Sequence, residues 1–272
     1  MTLSVGAWLL HGEPLYAPEA AARVVDLLTD PRWPWQPSTI RPTQRPGHAV
    51  YPWPKGRVAR PGLRAAVADI FTSELSNGID LVCARTDTAN HAWAHVYNGR
   101  IEGHEREVAF PLESVMLCRD GTPPGKSVDA WLEIVRELAA TLRAVHGAIW
   151  VDSDERMVRG RQYVLGTAQP AKPPDFPANE SARINRARRD LGERYVRLPG
   201  WATFLRSAHV EAVGGRARLL AAVAPPVVHE LGDLLYVQLS ATVADALAPA
   251  TEARRRALAD LLAPITVPVV AA

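Results

Sequence analysis

Cysteine is scarce in this 272-residue chain, with only Cys83 and Cys118. A disulfide framework is thereby excluded as the organising device. Two buried, reduced thiols are the expectation, with a single bridge left open if their strands are neighbours. Charge of either sign is not in excess: the formal net charge of +2 makes no global case for nucleic acid or an anionic membrane surface. Long apolar runs are missing too. The run from Val5 to Leu10 is too short to cross a membrane and follows no basic region. It reads as a buried first strand, and it points to a chain that stays in the cytoplasm. Also missing are a HExxH pair, a glycine-rich phosphate loop and a nucleophile beside its base.

What is present is an ordinary globular composition, 47% hydrophobic and 22% charged, enough for one large domain or two small ones. Pro18 opens a predicted helix to Leu28 with Val24, Val25, Leu27 and Leu28 inward. Eight of the twenty-three prolines then fall between Pro31 and Pro61, interleaved with Trp33, Trp35, Tyr51 and Trp53. Such a segment suits a polyproline ligand or a stacking surface. A long ordered loop pinned by its aromatics is the more ordinary reading.

Pro61 starts a second predicted helix, ended by Asn77-Gly78. Strands are expected at Ile79 to Ala84, Trp93 to Tyr97 and Val108 to Leu117, an antiparallel meander with a turn at Asn98-Gly99. Ser127 to His146 has the clearest helical period: Trp131, Ile134, Val135, Leu138, Leu142 and Val145 form one stripe, and Gly147 is its expected stop. Ala148 to Val151 reads as a short buried strand. Asn179 to Tyr195 reads as an arginine-rich helix. Leu231-Gly232-Asp233-Leu234 is a hairpin turn, and Thr251 is the expected cap of a last helix burying Leu258, Leu261 and Leu262.

The fold class that follows is α+β: antiparallel sheet, a meander plus a C-terminal hairpin, with packed helices. One domain over residues 1–272 is the expected organisation, with subdivision into similar halves 1–146 and 147–272 left open.

The stretch Leu198 to Gly215, LPGWATFLRSAHVEAVGG, organises the C-terminal half. Pro199-Gly200 signals a turn, Trp201 and Phe204 are apolar anchors, and Ser207 is placed to cap a helix that stops at Gly214-Gly215. His209 is its one group able to titrate near neutral pH, and a half-exposed histidine on a core-anchoring turn is the expectation.

Trp201-Ala202-Thr203-Phe204-Leu205, His209-Val210 and Gly214-Gly215 resemble the defining segment of the type VI immunity family. The strand pair Val227 to Ser240, a proline-marked break and the helix Thr251 to Leu262 follow that family's order, so the resemblance covers about residues 195–265. It implies a protein that binds and silences a toxin delivered by a neighbouring or sister cell. It brings no catalytic residues, no metal and no cofactor.

Three sets of residues could carry chemistry instead. His91, His95 and His104 form the histidine cluster. On a strand, however, His91 and His95 lie on one face about 13 Å apart, too far to share one ion. Asp152 and Asp154 with Glu155 make an acidic turn after a buried strand, where a hydrolase could place a metal or an acid/base pair with one histidine. Arg156 and Arg159 close by fit a solvated loop equally well. His11 with Glu13 repeats that ambiguity on a smaller scale. Arg183, Arg186 and Arg189 crowd one predicted helix, but Asp190 and Glu193 interrupt them and no aromatic platform accompanies them. Nucleic acid is therefore the poorer reading, a solvated helix face the ordinary one, and a basic patch that meets an acidic toxin surface the one that suits the family resemblance. The expected partner is a cognate protein toxin. The expected contact residues are Arg183, Arg186, Arg189, Trp33, Trp35, Trp53, Asp152 and Asp154.

Overall fold

Helical periodicity and strand alternation meet in two compact units, Ala7–Ala144 and Val145–Ala272 with Met1–Gly6. They are seen in a computed structural model that describes residues 3–11, 15, 17–28, 30, 39–44, 60–73, 76–84, 91–97, 112–119, 126–153, 195–196 and 199–266. The fold is α+β. Its strands are β1 (Leu3–His11), β2 (Thr39–Gln44), β3 (Ser76–Ala84), β4 (His91–Tyr97), β5 (Leu112–Arg119), β6 (His146–Ser153), β7 (Ala202–Arg206), β8 (Val227–Leu231) and β9 (Leu234–Gln238). Six described helices accompany them: α1 (Pro18–Leu28), α2 (Arg60–Thr72), α3 (Lys126–Thr141), α4 (Ser207–Ala212), α5 (Gly215–Val223) and α6 (Pro249–Leu262). No described helix is long and apolar enough to cross a membrane.

In the first unit β2, β3, β4 and β5 pair antiparallel in sequence order, which is the expected meander extended by one strand. That extra strand corrects the loop expected from 29 to 61. Thr39–Gln44 pairs with β3, and Pro42 is tolerated because β2 is an edge. Asn77-Gly78 does not stop a helix. The helix ends earlier, at Thr72, and the dipeptide lies inside β3, where Thr43 faces Gly78 but Gln44 faces Ser76. Asn77 is thus the extra residue of a β-bulge. Cys83 and Cys118 both stand opposite Ala92, from β3 and β5 on either side of β4. Two strand spacings put their backbones about 10 Å apart. A disulfide needs less than about 7 Å, so the bridge left open from sequence is excluded.

The α3 stripe is buried as expected, with Trp131, Ile134, Val135, Leu138 and Leu142 all at the core. The helix stops at Thr141, and Gly147 lies in β6. Its real stop is a Schellman motif: Ala144 N–H donates to the Ala139 carbonyl, Arg143 N–H donates to the Ala140 carbonyl, and Arg143 takes φ 45°. An arginine there gives no sequence signal of a helix end.

In the second unit β6, β7, β9 and β8 pair antiparallel in that order. One face of this sheet carries Leu205, Leu235 and Val237 against Val210 and Val213, Leu219 and Val223 of α5, and Leu258 and Leu262 of α6. Gly232, at φ 65°, occupies the first central position of the two-residue β8–β9 turn, a type II′ geometry. The hairpin expected there is present.

Two caps differ from expectation. Arg206, not Ser207, is the N-cap of α4, because pairing with Leu234 holds Arg206 extended. Ser207 becomes the first helical residue and donates its N–H to the Asp233 carbonyl at 3.0 Å. Likewise Ala248 is the N-cap of α6 with Pro249 following, and buried Thr251 donates its hydroxyl to the Asp245 carbonyl at 2.7 Å.

Gly200 sits where its backbone passes close to that of β6. A Cβ there would lie 2.3 Å from the Ile149 carbonyl oxygen and 2.9 Å from its carbon. Backbone cannot yield as a flexible side chain does. Gly200→Ala is expected to destabilise the protein by about 2–3 kcal/mol, read as a lowered urea midpoint. An unchanged midpoint would mean that β6 is not held against Gly200.

Candidate functional site

The segment Pro199 to Gly215 is built around β7, whose five residues are buried except for the partly exposed Arg206. Trp201, just before the strand, donates its indole N–H to Ser240 Oγ at 2.6 Å, and Ser240 Oγ donates to the Thr242 carbonyl at 2.7 Å. Trp201 thereby ties the entrance of β7 to the exit of β9. Phe204 lies against Tyr236 with ring centres 5.0 Å apart. Both expected apolar anchors are therefore core residues.

His209 is buried, 1% exposed, where a half-exposed side chain was expected. The cause is α4 itself, whose third residue folds back over its own N-cap. The Arg206 backbone N–H donates to His209 Nδ1 at 3.3 Å, so this nitrogen accepts and the neutral ring carries its proton on Nε2. His146, the first residue of β6, is also buried. Its Nδ1 lies 2.7 Å from the Phe204 carbonyl, and because a carbonyl only accepts, the proton sits on Nδ1. The two rings meet edge to face, 6.1 Å between centres. Sequence reasoning placed His146 at a helix end and missed it. The signal that could have found it is its position opposite Leu205 in the β6–β7 ladder, which only a pairing hypothesis supplies.

These two imidazoles are both buried, and one nitrogen of each is committed to backbone. Among the described residues no group of three His, Cys, Asp or Glu side chains could hold a metal ion. His209 ties α4 to its own N-cap and His146 ties β6 to β7.

Of the expected contact residues, Asp152 lies in β6. Arg183, Arg186, Arg189, Trp33, Trp35, Trp53 and Asp154 lie outside the described residues, as do His104, Glu13 and the whole predicted helix from Asn179 to its last turn. His91 and His95 do lie on a strand, at register positions opposite Ala84 and Asp80.

His11, the last residue of β1, is fully buried, and among the described residues neither ring nitrogen has a hydrogen-bond partner. Burial alone lowers its pKa from 6.5 to about 3, because a charged ring would lose its hydration with nothing to replace it. The sign of the consequence is fixed. Above pH 6.5 the ring is neutral in both folded and unfolded chain, and the group contributes no pH dependence. As pH falls from 6.5 toward about 3, only the unfolded chain takes the proton and stability is lost. The loss approaches about 1.4 kcal/mol per pH unit. Urea titrations of the wild type and of His11→Leu across this range are expected to diverge, the wild type falling more steeply; parallel curves would place His11 in a hydrated setting.

No protein-family model and no curated protein matches the chain. Among solved structures, the Pseudomonas aeruginosa T6SS protein PA0821 is similar, with a TM-score of 0.57 at 13% identity. The likeness covers 97% of this chain and 73% of that one. At that identity it is a likeness of fold.

Proposed function

We propose that this chain is a type VI immunity protein that binds a cognate antibacterial toxin and neutralises it without catalysis of its own. The observation that carries the reading is a fold shared with a T6SS protein along nearly the whole chain. The segment whose residues resemble the immunity family, Trp201 to Gly215, is the part that supplies β7 and α4 to the core. Residues of this kind specify a scaffold, and a scaffold whose buried imidazoles are tied to backbone is suited to binding rather than turnover.

The toxin would be met in the cytoplasm, either on delivery from a neighbour or before export. Capture must precede damage, which favours electrostatic steering, and the arginine-rich segment with Arg183, Arg186 and Arg189 is the natural source of it. Trp33, Trp35 and Trp53 would supply apolar anchors, with Asp152 and Asp154 as polar contacts.

The test has two linked readouts. The tagged chain, drawn from lysate of the producing strain, is expected to retain one stoichiometric partner through moderate salt. Expressed alone, that partner should arrest growth, and co-expression with this chain should restore it. Arg183→Glu with Arg186→Glu and Arg189→Glu is expected to slow association by tenfold or more, mostly in the on-rate. A partner that is harmless alone, or the recovery of a bound metal with no partner, would contradict the reading.

A further inference from the structure

Among the described residues, strand β8 is the last strand of its sheet. β9 pairs with it on one side, and no described strand pairs with it on the other. The ladder fixes where its backbone groups point. Leu239 N–H donates to the Trp201 carbonyl and Ser207 N–H to the Asp233 carbonyl. Odd-numbered residues along β9 therefore bond toward β7, and even-numbered ones toward β8. Val227, His229 and Leu231 stand opposite Gln238, Tyr236 and Leu234 and spend their N–H and C=O groups on them. Val228 and Glu230, opposite Val237 and Leu235, aim theirs out of the sheet.

An open edge is a template for another strand. This one is bounded by Pro225-Pro226 before it and by the Gly232-Asp233 turn after it. Val227, Val228 and Leu231 are only half-buried. Leu220 of α5, which packs with Val228 against the core, is half-buried as well. An added strand would cover this apolar margin.

We infer that the occupant is a second copy of this chain, paired antiparallel across a two-fold axis at His229. Register is the reason. A hydrogen-bonded antiparallel position needs outward groups on both strands. Setting Val228 of each copy opposite Glu230 of the other meets that need and forms four N–H···O=C bonds. Sliding by two residues one way puts Glu230 opposite Pro226, which has no N–H. Sliding the other way sets Glu230 against Glu230, like charges directly opposite. The edge is self-complementary in one register, and there each Glu230 keeps its own counter-ion, Arg216 at 2.7 Å. On the Tyr236 face the two exposed His229 side chains then stand opposite one another at the axis. This assembly is independent of the proposed function.

Sedimentation equilibrium of the purified full chain over a wide concentration series tests it, and a species of twice 29.6 kDa is expected. His229→Lys and His229→Glu each place like charges at the axis and should weaken association about tenfold. A mixture of the two variants should favour the mixed dimer over either parent. Val228→Pro should weaken association at least as much, with some lowering of the monomer's thermal melt because Val228 also packs against the core. A chain that stays monomeric overturns the inference. So does a dimer indifferent to these substitutions, or variants with no preference for mixing. A monomer whose Val228→Pro variant loses a different protein partner would assign the edge to that partner instead.

Discussion

The antiparallel pairing of Ala202–Arg206 with Leu234–Gln238 is the constraint on which the second unit depends, because all five residues of β9 are buried and the strand has no solvent face to spare. A strand covered on both faces must be apolar on both or satisfy its own polar groups. This one does both. Leu235 and Val237 face the α4, α5 and α6 core. On the other side Tyr236 donates its hydroxyl to Gln238 Oε1 at 2.6 Å, and Gln238 Nε2 donates to the Ser240 carbonyl at 2.8 Å. At a net worth of about 1 kcal/mol each, these bonds add little energy. Their importance is that an unpaired amide at this depth would cost several times as much.

The same pairing explains the local geometry around it. It holds Arg206 extended, so α4 begins one residue earlier than a capping Ser207 would have it. The turn that follows folds His209 inward to close its own N-cap and meet His146. Arg254 of α6 reaches the Leu239 carbonyl at 3.2 Å, carrying the constraint into the last helix. Apolar burial and backbone satisfaction thus point to one arrangement, the consistency expected of a sequence that specifies a single fold.

Much of this was legible in the chain. The stripe of α3 followed from periodicity, the start of α1 from Pro18, and the Gly232-Asp233 hairpin from turn chemistry. These signals are local, and the elements they mark are local too. What was misread depends on partners distant in sequence. Strand β2 is recognisable only through β3, since Pro42 argues against a strand unless it lies at an edge. The α3 stop uses Arg143 in a left-handed conformation that favours glycine. The caps of α4 and α6 are set by where neighbouring backbone ends. For the candidate site, the resemblance of Trp201 to Gly215 to the immunity family and the absence of a catalytic constellation steered the reading toward binding. The burial of His209 and the presence of His146 beside it needed the β6–β7 register. Asp152 is the expected contact residue that falls in a described strand; the arginines and tryptophans are surface expectations drawn from charge and amphipathic chemistry.

Native-state hydrogen exchange of the backbone amides of Thr203, Leu205, Leu235 and Val237 tests the central claim most directly. If the β7–β9 pairing holds the unit together, these amides exchange only through global unfolding, with a free energy equal to that from urea titration. If they exchange through local opening, at a lower free energy than Leu258 in α6, the pairing is not the constraint on which the unit depends.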